Sequence, residues 1–399
     1  MMDKSPAANL AFVTAHLGSR RGLIVLYMAA VFLYWMALYL YVPTLPIYAQ
    51  SKADDLALVG VALSMYGLWQ AIIRLPLGIA ADWLGWRKPF IIAGFALAGL
   101  GAWMMGTATD IQGVILGRAI TGLAAGTWAP LVVVFSSLFP PEEAVRASAL
   151  LTSIGSVGRM LATAVTGSLN ELGGYSLAFF LAAIAAALAI VTVLPSQEQR
   201  RPPKPPSVRG VGRLIIRRDV LLPSLLSAVN QYATWATTFG FLPIIASQLG
   251  ATGVTQSILV TMNIAVVTLG NLMVTTLIRV MGTRRLVHLS FWLIAIGTGS
   301  AALAPSLPMV FLAQLCLGLS QGIGYPVLMG MSIQNVADAE RTTAMGLHQS
   351  VYAIGMFTGP WLSGILADVM GIRPMFGVTA FACLALGLYG TGQLRKASR

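Results

Sequence analysis

Charge is scarce in this sequence: Asp, Glu, Lys and Arg together make up 10% of 399 residues, against ~25% in an ordinary soluble domain. With 57% hydrophobic side chains and a mean hydropathy of +0.79, the chain is too apolar to fold around one or two cores in water. It reads as an integral membrane protein. Cysteine is nearly absent as well. Cys316 and Cys383 are the only two, and both fall inside apolar runs, where a small polarizable side chain is ordinary packing. There are 3 histidines and 13 acidic residues, and every acidic residue falls in a tail, a loop or an expected helix end. No HExxH, no paired intramembrane carboxylates and no Ser/His set occurs within the apolar runs, so an enzyme is not expected, nor a metal or a cofactor. A receptor would carry a larger soluble domain.

What is present is a series of long apolar runs, near residues 23–48, 57–81, 89–109, 111–135, 147–169, 174–194, 220–246, 253–278, 286–305, 307–331, 342–366 and 372–393. Each is long enough for a helix, which needs about 20 residues to cross ~30 Å of hydrocarbon. A barrel would show short alternating strands instead. The expected fold is therefore an all-α membrane protein of twelve transmembrane helices.

The formal charge of +12 raises the question of nucleic acid, and position answers it. With both termini placed in the cytoplasm, Lys52 and Arg373 are the basic residues outside; Arg74, Arg118 and Arg159 lie within runs. The other twenty, among them Arg20, Arg21, Arg87, Lys88, Arg146, Arg284, Arg285 and Arg341, fall on the inside. This is the positive-inside asymmetry of a multi-pass inner-membrane protein, so the basic excess is topological and no nucleic-acid partner is expected.

Sliding the chain on itself brings Leu45-Pro46-Ile47 onto Leu242-Pro243-Ile244 and Gly85 and Arg87 onto Gly282 and Arg284, at an offset of 197. Gly122, Gly126 and Pro130 fall on Gly318, Gly322 and Pro326 at 196, and Gly158, Gly167, Gly174 and Phe179 on Gly355, Gly364, Gly371 and Phe376 at 197. A near-constant offset at separated places argues for two pseudo-symmetric six-helix bundles with a solute site between them near the midplane. The expected organisation is a cytoplasmic tail (1–22), a first bundle (23–194), a basic, proline-rich cytoplasmic linker (195–219), a second bundle (220–393) and a tail (394–399).

Over its whole length the chain resembles the major facilitator superfamily. "GIAADWLGWRK" resembles that family's loop between helices two and three through Gly78, Asp82, Gly85, Arg87 and Lys88, with Trp83 and Trp86 where basic residues are usual. "GRAITGLAAG" resembles its fourth-helix motif through Arg118, Gly122 and Gly126. The resemblance implies that Asp82 and Arg87 form a conformational latch steadying the outward-facing state. The Gly-Pro motif of the drug:proton antiporter branch has its likeness in helix eleven, at Gly355, Gly359, Pro360 and Gly364. In helix five, Gly158 and Gly167 flank Ala162-Thr163. These small residues are expected to let helices approach closely and to serve gating.

Burying a cation at the bilayer centre costs at least about 2.5–3.5 kcal/mol, so an intramembrane arginine needs a wet cavity or a partner. Arg74, eight residues from Asp82, is about 12 Å from the inner end and is expected to snorkel to the surface. Arg118, eight residues past Asp110, is about 12 Å in from the outer side, and the resemblance implies that this helix-four arginine faces the cavity; Arg159 lies about 18–20 Å from either end of its helix and is expected to face it too. A guanidinium does not titrate and grips carboxylate or phosphate with a fork. Both are therefore assigned to an anionic part of the solute, with Trp35, Trp128, Asn230, Gln231, Tyr232, Trp235, Tyr325, Gln349 and Tyr352 completing the site. His348 is the one midspan imidazole and the candidate proton carrier.

The expected protein is a monomeric secondary transporter in a lipid bilayer. It moves a small anionic or amphipathic organic solute, more readily outward, with protons as the candidate coupling ion. The alternative is a proton-coupled multidrug antiporter.

Overall fold

A computed structural model of the chain describes residues 6–140, 143–196, 208–337 and 340–397, and among these there is no strand. The first crossing is α1 (Pro6–Tyr39), continued after a break by α2 (Leu45–Gln50). Next come α3 (Leu56–Leu84), α4 (Lys88–Gly106), a fourth crossing made of α5 (Ile111–Gly126) and α6 (Trp128–Ser136), and α7 (Ala144–Val193). A short α8 (Val208–Ile215) leads to α9 (Arg218–Ala236), a π-helical turn at Thr237–Phe241, and α10 (Leu242–Gln248). The chain ends with α11 (Gly253–Met281), α12 (Thr283–Leu303), α13 (Leu307–Ile333), α14 (Arg341–Met370) and α15 (Ile372–Ala397).

Among the described residues, ten helical spans are long and apolar enough to cross a membrane. One of them, Ala149–Val193, has 45 residues and is two crossings folded at Gly173 and Gly174, whose φ/ψ are non-helical. The broken α9–π-turn–α10 segment supplies a further crossing, which accounts for the twelve apolar runs. Helix α1 starts at Pro6, so the segment read from sequence as a tail continues the first helix, and α15 runs on to Ala397. Residues 197–207 of the expected linker lie outside the described residues. Its end is ordered as α8, whose Leu214 is buried with Val220, Val336 and Leu347, and whose Arg213 pairs with Glu340 at 3.1 Å.

The sequence repeat has a physical content. Gly85 and Gly282 both end long helices with positive φ, 62° and 77°, and so do Gly174 and Gly371, at 69° and 88°. The two proline matches, Pro46 and Pro243, open α2 and α10, where a missing N–H costs nothing. The remaining glycines mark close helix approaches. Gly158 abuts Phe32 in α1, and its counterpart Gly355 abuts Ala228 in α9. Gly167 meets Gly253 in α11, and its counterpart Gly364 meets Gly60 in α3.

Gly174, with ψ 178°, sits in a region essentially reserved for glycine. A Cβ there would touch nothing within 4 Å, so the penalty of substitution is backbone strain alone. Gly174→Ala is expected to lower stability by about 1–3 kcal/mol, read as a lowered midpoint of thermal unfolding in detergent with solute binding unchanged.

The first half (α1–α7) and the second (α9–α15) meet chiefly through α3 with α14 and α7 with α11. These contacts gather at the end away from the basic loops. There, Gly60 lies against Pro360 and Gly364, and the Thr163 and Thr261 hydroxyls are 2.8 Å apart. Gly167 N–H donates to Ser257 Oγ at 2.7 Å, and Leu56 N–H donates to Asp368 Oδ1 at 3.1 Å.

Candidate solute-binding cavity

A cavity of about 270 Å³ lies between the halves. Its walls are helical stripes spaced three or four residues apart, the spacing that puts side chains on one face. They are Tyr66, Gln70 and Arg74 on α3; Thr152, Gly155 and Arg159 on α7; Gln231 and Trp235 on α9, continued by Phe239; Asn263, Val267 and Asn271 on α11; Gln321 and Tyr325 on α13; and Gln349, Tyr352 and Met356 on α14. Helix α1 adds Trp35 and Tyr39, and α6 adds Trp128.

Thr152 and Asn271, both exposed and only a few residues from Arg146 and Arg279, mark the mouth at the basic end. The floor is aromatic and spans both halves. Tyr66 stacks on Trp235 with centroids 5.3 Å apart, and Tyr39 meets Phe239 edge-on at 6.4 Å.

Among the described residues, two guanidinium groups enter this space and no carboxylate lines it. Arg159 lies over the Trp35 ring at 4.8 Å and beside Tyr39 at 5.8 Å. Its Nε donates to Gly155 O at 3.3 Å and its Nη2 to Ser156 Oγ at 3.2 Å, both one turn back on its own helix. Long bonds to neutral acceptors in the same helix leave its charge uncompensated.

Arg74 corrects the expectation of a snorkelling side chain. Instead of reaching the surface it turns across the cavity, where Nη1 donates to Gln349 Oε1 at 3.0 Å and to Tyr352 Oη at 2.5 Å, and Nη2 donates to Gln70 Oε1. The physical reason is the stripe it shares with Tyr66 and Gln70, which faces the other half. Arg74 thus joins the two halves at the level of the cavity.

Arg118 is not part of the lining. It is buried in the first half with its guanidinium 4.5 Å from the centroid of Tyr66, because the face it shares with Gly122 is the one packed on α3. Asn230 is likewise off the cavity, its Nδ2 donating to Ser320 Oγ at 3.3 Å within the second half. Tyr232 points to the back of α9, toward Ser363 Oγ at 3.3 Å. His348 is fully buried one layer behind the lining, with Nδ1 3.0 Å from Ser224 Oγ and Nε2 without a partner among the described residues.

In the loop between α3 and α4, the Asp82 side chain lies outside the described residues and Arg87 is largely buried. Gly85 ends α3 in the left-handed region, and a Cβ on Gly78 would have open space. Lys88 Nζ donates to Leu194 O at 2.7 Å and Ser196 O at 2.6 Å, a cation at the C-terminal end of a helix, where the dipole favours it.

A polytopic helical protein of two repeated halves, with a polar, aromatic cavity between them closed at one end, has the form of a transporter rather than an enzyme. The family profile described as Major Facilitator Superfamily matches residues 27–231 and again 224–394. The chain belongs to the Major Facilitator Superfamily and is a multi-pass membrane transporter.

The chain is 30% identical over 156 residues to "Inner membrane transport protein YajR" of Escherichia coli, a match covering 38% of this chain and only 33% of that protein. "Multidrug resistance protein MdtH" of Aeromonas hydrophila is 26% identical over 355 residues, 84% of each chain. A solved bacterial homologue of the human lysosomal transporter Spinster, inward-facing and unoccupied, superposes with a TM-score of 0.78 at 15% identity over 94% of this chain and 98% of its own.

Proposed function

We propose that this protein exports a small organic anion, one carrying a carboxylate or phosphate on an apolar ring or chain, across the cytoplasmic membrane by rocking its two halves. The observation that carries this reading is the cavity's charge: Arg74 and Arg159 face it and, among the described residues, no acidic side chain does. A cationic solute would meet repulsion from both guanidiniums, whereas an anion supplies the charge each one lacks. The basic end, where the cavity opens, is assigned to the cytoplasm by the positive-inside rule. An anion leaving through an inside-negative membrane gains about 2.3 kcal/mol per charge per 100 mV, so export needs no proton carrier. The buried position of His348, away from the lining, agrees with that. The loop from Gly78 to Lys88 is proposed as the latch of the alternate state, and both halves act in a single chain.

The test is uptake of matched organic anions and cations into proteoliposomes under an imposed potential, with wild type and Arg159→Ala. Loss of a charge-assisted fork costs about 1.5–3 kcal/mol, so anion affinity is expected to fall roughly 10- to 100-fold. Equal affinity in the variant for every ligand bound would remove the basis of the assignment.

A second reading, proton-coupled multidrug export, is favoured by the aromatic floor and by the likeness to a multidrug resistance protein. It predicts transport of cations driven by a pH gradient at zero potential.

A further inference from the structure

The two sides of the cavity differ in chemistry. The first half contributes both cations. The second half contributes neutral amides, and two of these are buried with an oxygen left over. Asn263 is 1% exposed. Its Nδ2 donates to Gln314 O at 3.2 Å, which fixes the amide's orientation and leaves Oδ1 without a partner among the described residues. Gln231 is 5% exposed, and its Oε1 also has no partner among the described residues. Both residues line the cavity. A buried acceptor without a donor is costly and uncommon, so two in one wall call for donors from whatever occupies the space.

Asn263 stands level with Arg159. The Thr163–Thr261 bridge is four residues, about 6 Å, from Arg159 on α7 and two residues, about 3 Å, from Asn263 on α11, both toward the mouth. Cation and amide therefore stand at nearly the same depth on opposite halves, and both are among the residues lining the cavity.

Resting on the anion reading above, we infer that the second half holds a donor-recognising subsite built by Asn263 and Gln231. The solute is then two-ended: a carboxylate or phosphate held from the first half, and an O–H or N–H group on its far end held from the second. The cavity volume of about 270 Å³ is at the small end of ligand sites, ~300–1,000 Å³, which limits the body between the two ends to one or two rings. The flat aromatic side chains Trp35, Tyr66 and Trp235 suit such a body. A two-ended solute touches both halves at once, which is what a carrier needs if binding is to draw the halves together.

The test is titration of the purified full-length protein with three acids that differ at one end: 3-phenylpropanoate, 3-(4-hydroxyphenyl)propanoate and 3-(4-methoxyphenyl)propanoate. The hydroxyl compound is expected to bind about tenfold tighter than the parent acid, the value of one hydrogen bond to a buried acceptor. The methyl ether, which keeps the oxygen and removes the donor, is expected to show none of that gain. In Gln231→Leu combined with Asn263→Leu, the hydroxyl preference is expected to fall to within about twofold of unity.

Wild type with no preference for the hydroxyl acid, or with equal preference for the ether, would overturn the subsite, and this comparison needs no variant to fold. Arg159→Ala reports on the anion reading separately, because it should weaken all three acids by one factor and leave their ratios intact. A lost ratio with the Arg159 effect intact sinks the subsite alone. An intact ratio without the Arg159 effect sinks the anion reading alone.

Discussion

Gly167→Val is expected to abolish transport and to turn the cavity away from the basic end. A Cβ at Gly167 would overlap the backbone of Gly253 and Val254 across the two halves. The obstacle is backbone, so no rotamer change relieves it, and the same residue's N–H is engaged by Ser257 Oγ at 2.7 Å. Overpacking of this kind costs about 1–3 kcal/mol or more. Because the clash exists only while α7 and α11 touch, that cost falls on one conformation, not on the fold. A penalty of about 3 kcal/mol moves the ratio of the two states by roughly 100-fold.

Gly60→Val, wedged against Pro360 and Gly364, is expected to do the same at the other seam. Gly158→Val is the contrast. Gly158 abuts Phe32 inside the first half, so its substitution should lower thermal stability without changing which end is open. The measurement is labelling of Thr152→Cys, an exposed position at the mouth, by a membrane-impermeant thiol reagent, in a protein whose Cys316 and Cys383 are replaced by serine. Labelling from the basic end should fall steeply in Gly167→Val and persist in Gly158→Val. Undiminished labelling in Gly167→Val would mean that the seam yields and is no gate.

The crossings were legible because apolar length has one physical cause, the thickness of hydrocarbon. The repeat was legible because a turn needing positive φ or a close helix approach accepts glycine and little else. Gly85 with Gly282 and Gly174 with Gly371 are of the first kind; Gly158 with Gly355 and Gly167 with Gly364 are of the second.

The site was read less well where depth stood in for direction. Arg118 and Arg74 are both about 12 Å from a helix end; depth gave Arg74 the wrong surroundings, and the family resemblance gave Arg118 the wrong ones. Facing would have corrected both. Arg118 shares its stripe with Gly122, which meets the α3 backbone at Met65 and Tyr66, so the arginine lies between helices. Arg74 shares its stripe with Gln70 and Tyr66, a polar face that has to meet water or another polar surface. The same rule separates Gln231 from its neighbours. Residues one apart diverge by about 100° around a helix, and Asn230 and Tyr232 turn from the wall of Gln231 and Trp235 to Ser320 and Ser363. The break at Thr237–Phe241 carried no comparable signal; π-helical turns lack a residue signature and often occur at functional sites.

Arg74→Gln is expected to weaken binding of the anionic solute by about 100-fold, at the top of the range expected for Arg159→Ala. The arginine carries the only charge that crosses between the halves at the level of the cavity among the described residues, and all three of its acceptors, Gln70, Gln349 and Tyr352, are neutral. Its guanidinium also lies 5.2 Å from the centroid of the Tyr352 ring, so it is held in place before any solute arrives and little ordering remains to be done on binding. Glutamine preserves hydrogen bonding and removes the charge; lysine preserves the charge and removes the planar fork. Binding measured by titration should therefore rank wild type above Arg74→Lys, down about tenfold, and Arg74→Lys above Arg74→Gln. The wild-type affinity should fall as chloride is raised, because the halide competes for the same cations, and that salt dependence should be shallower in Arg74→Gln. Equal affinities across the three proteins would make Arg74 a strut between the halves that the solute never meets. A graded loss with a flattened salt response would place the anion between Arg74 and Arg159, both on the first half, where its charge offsets two cations whose acceptors are otherwise neutral.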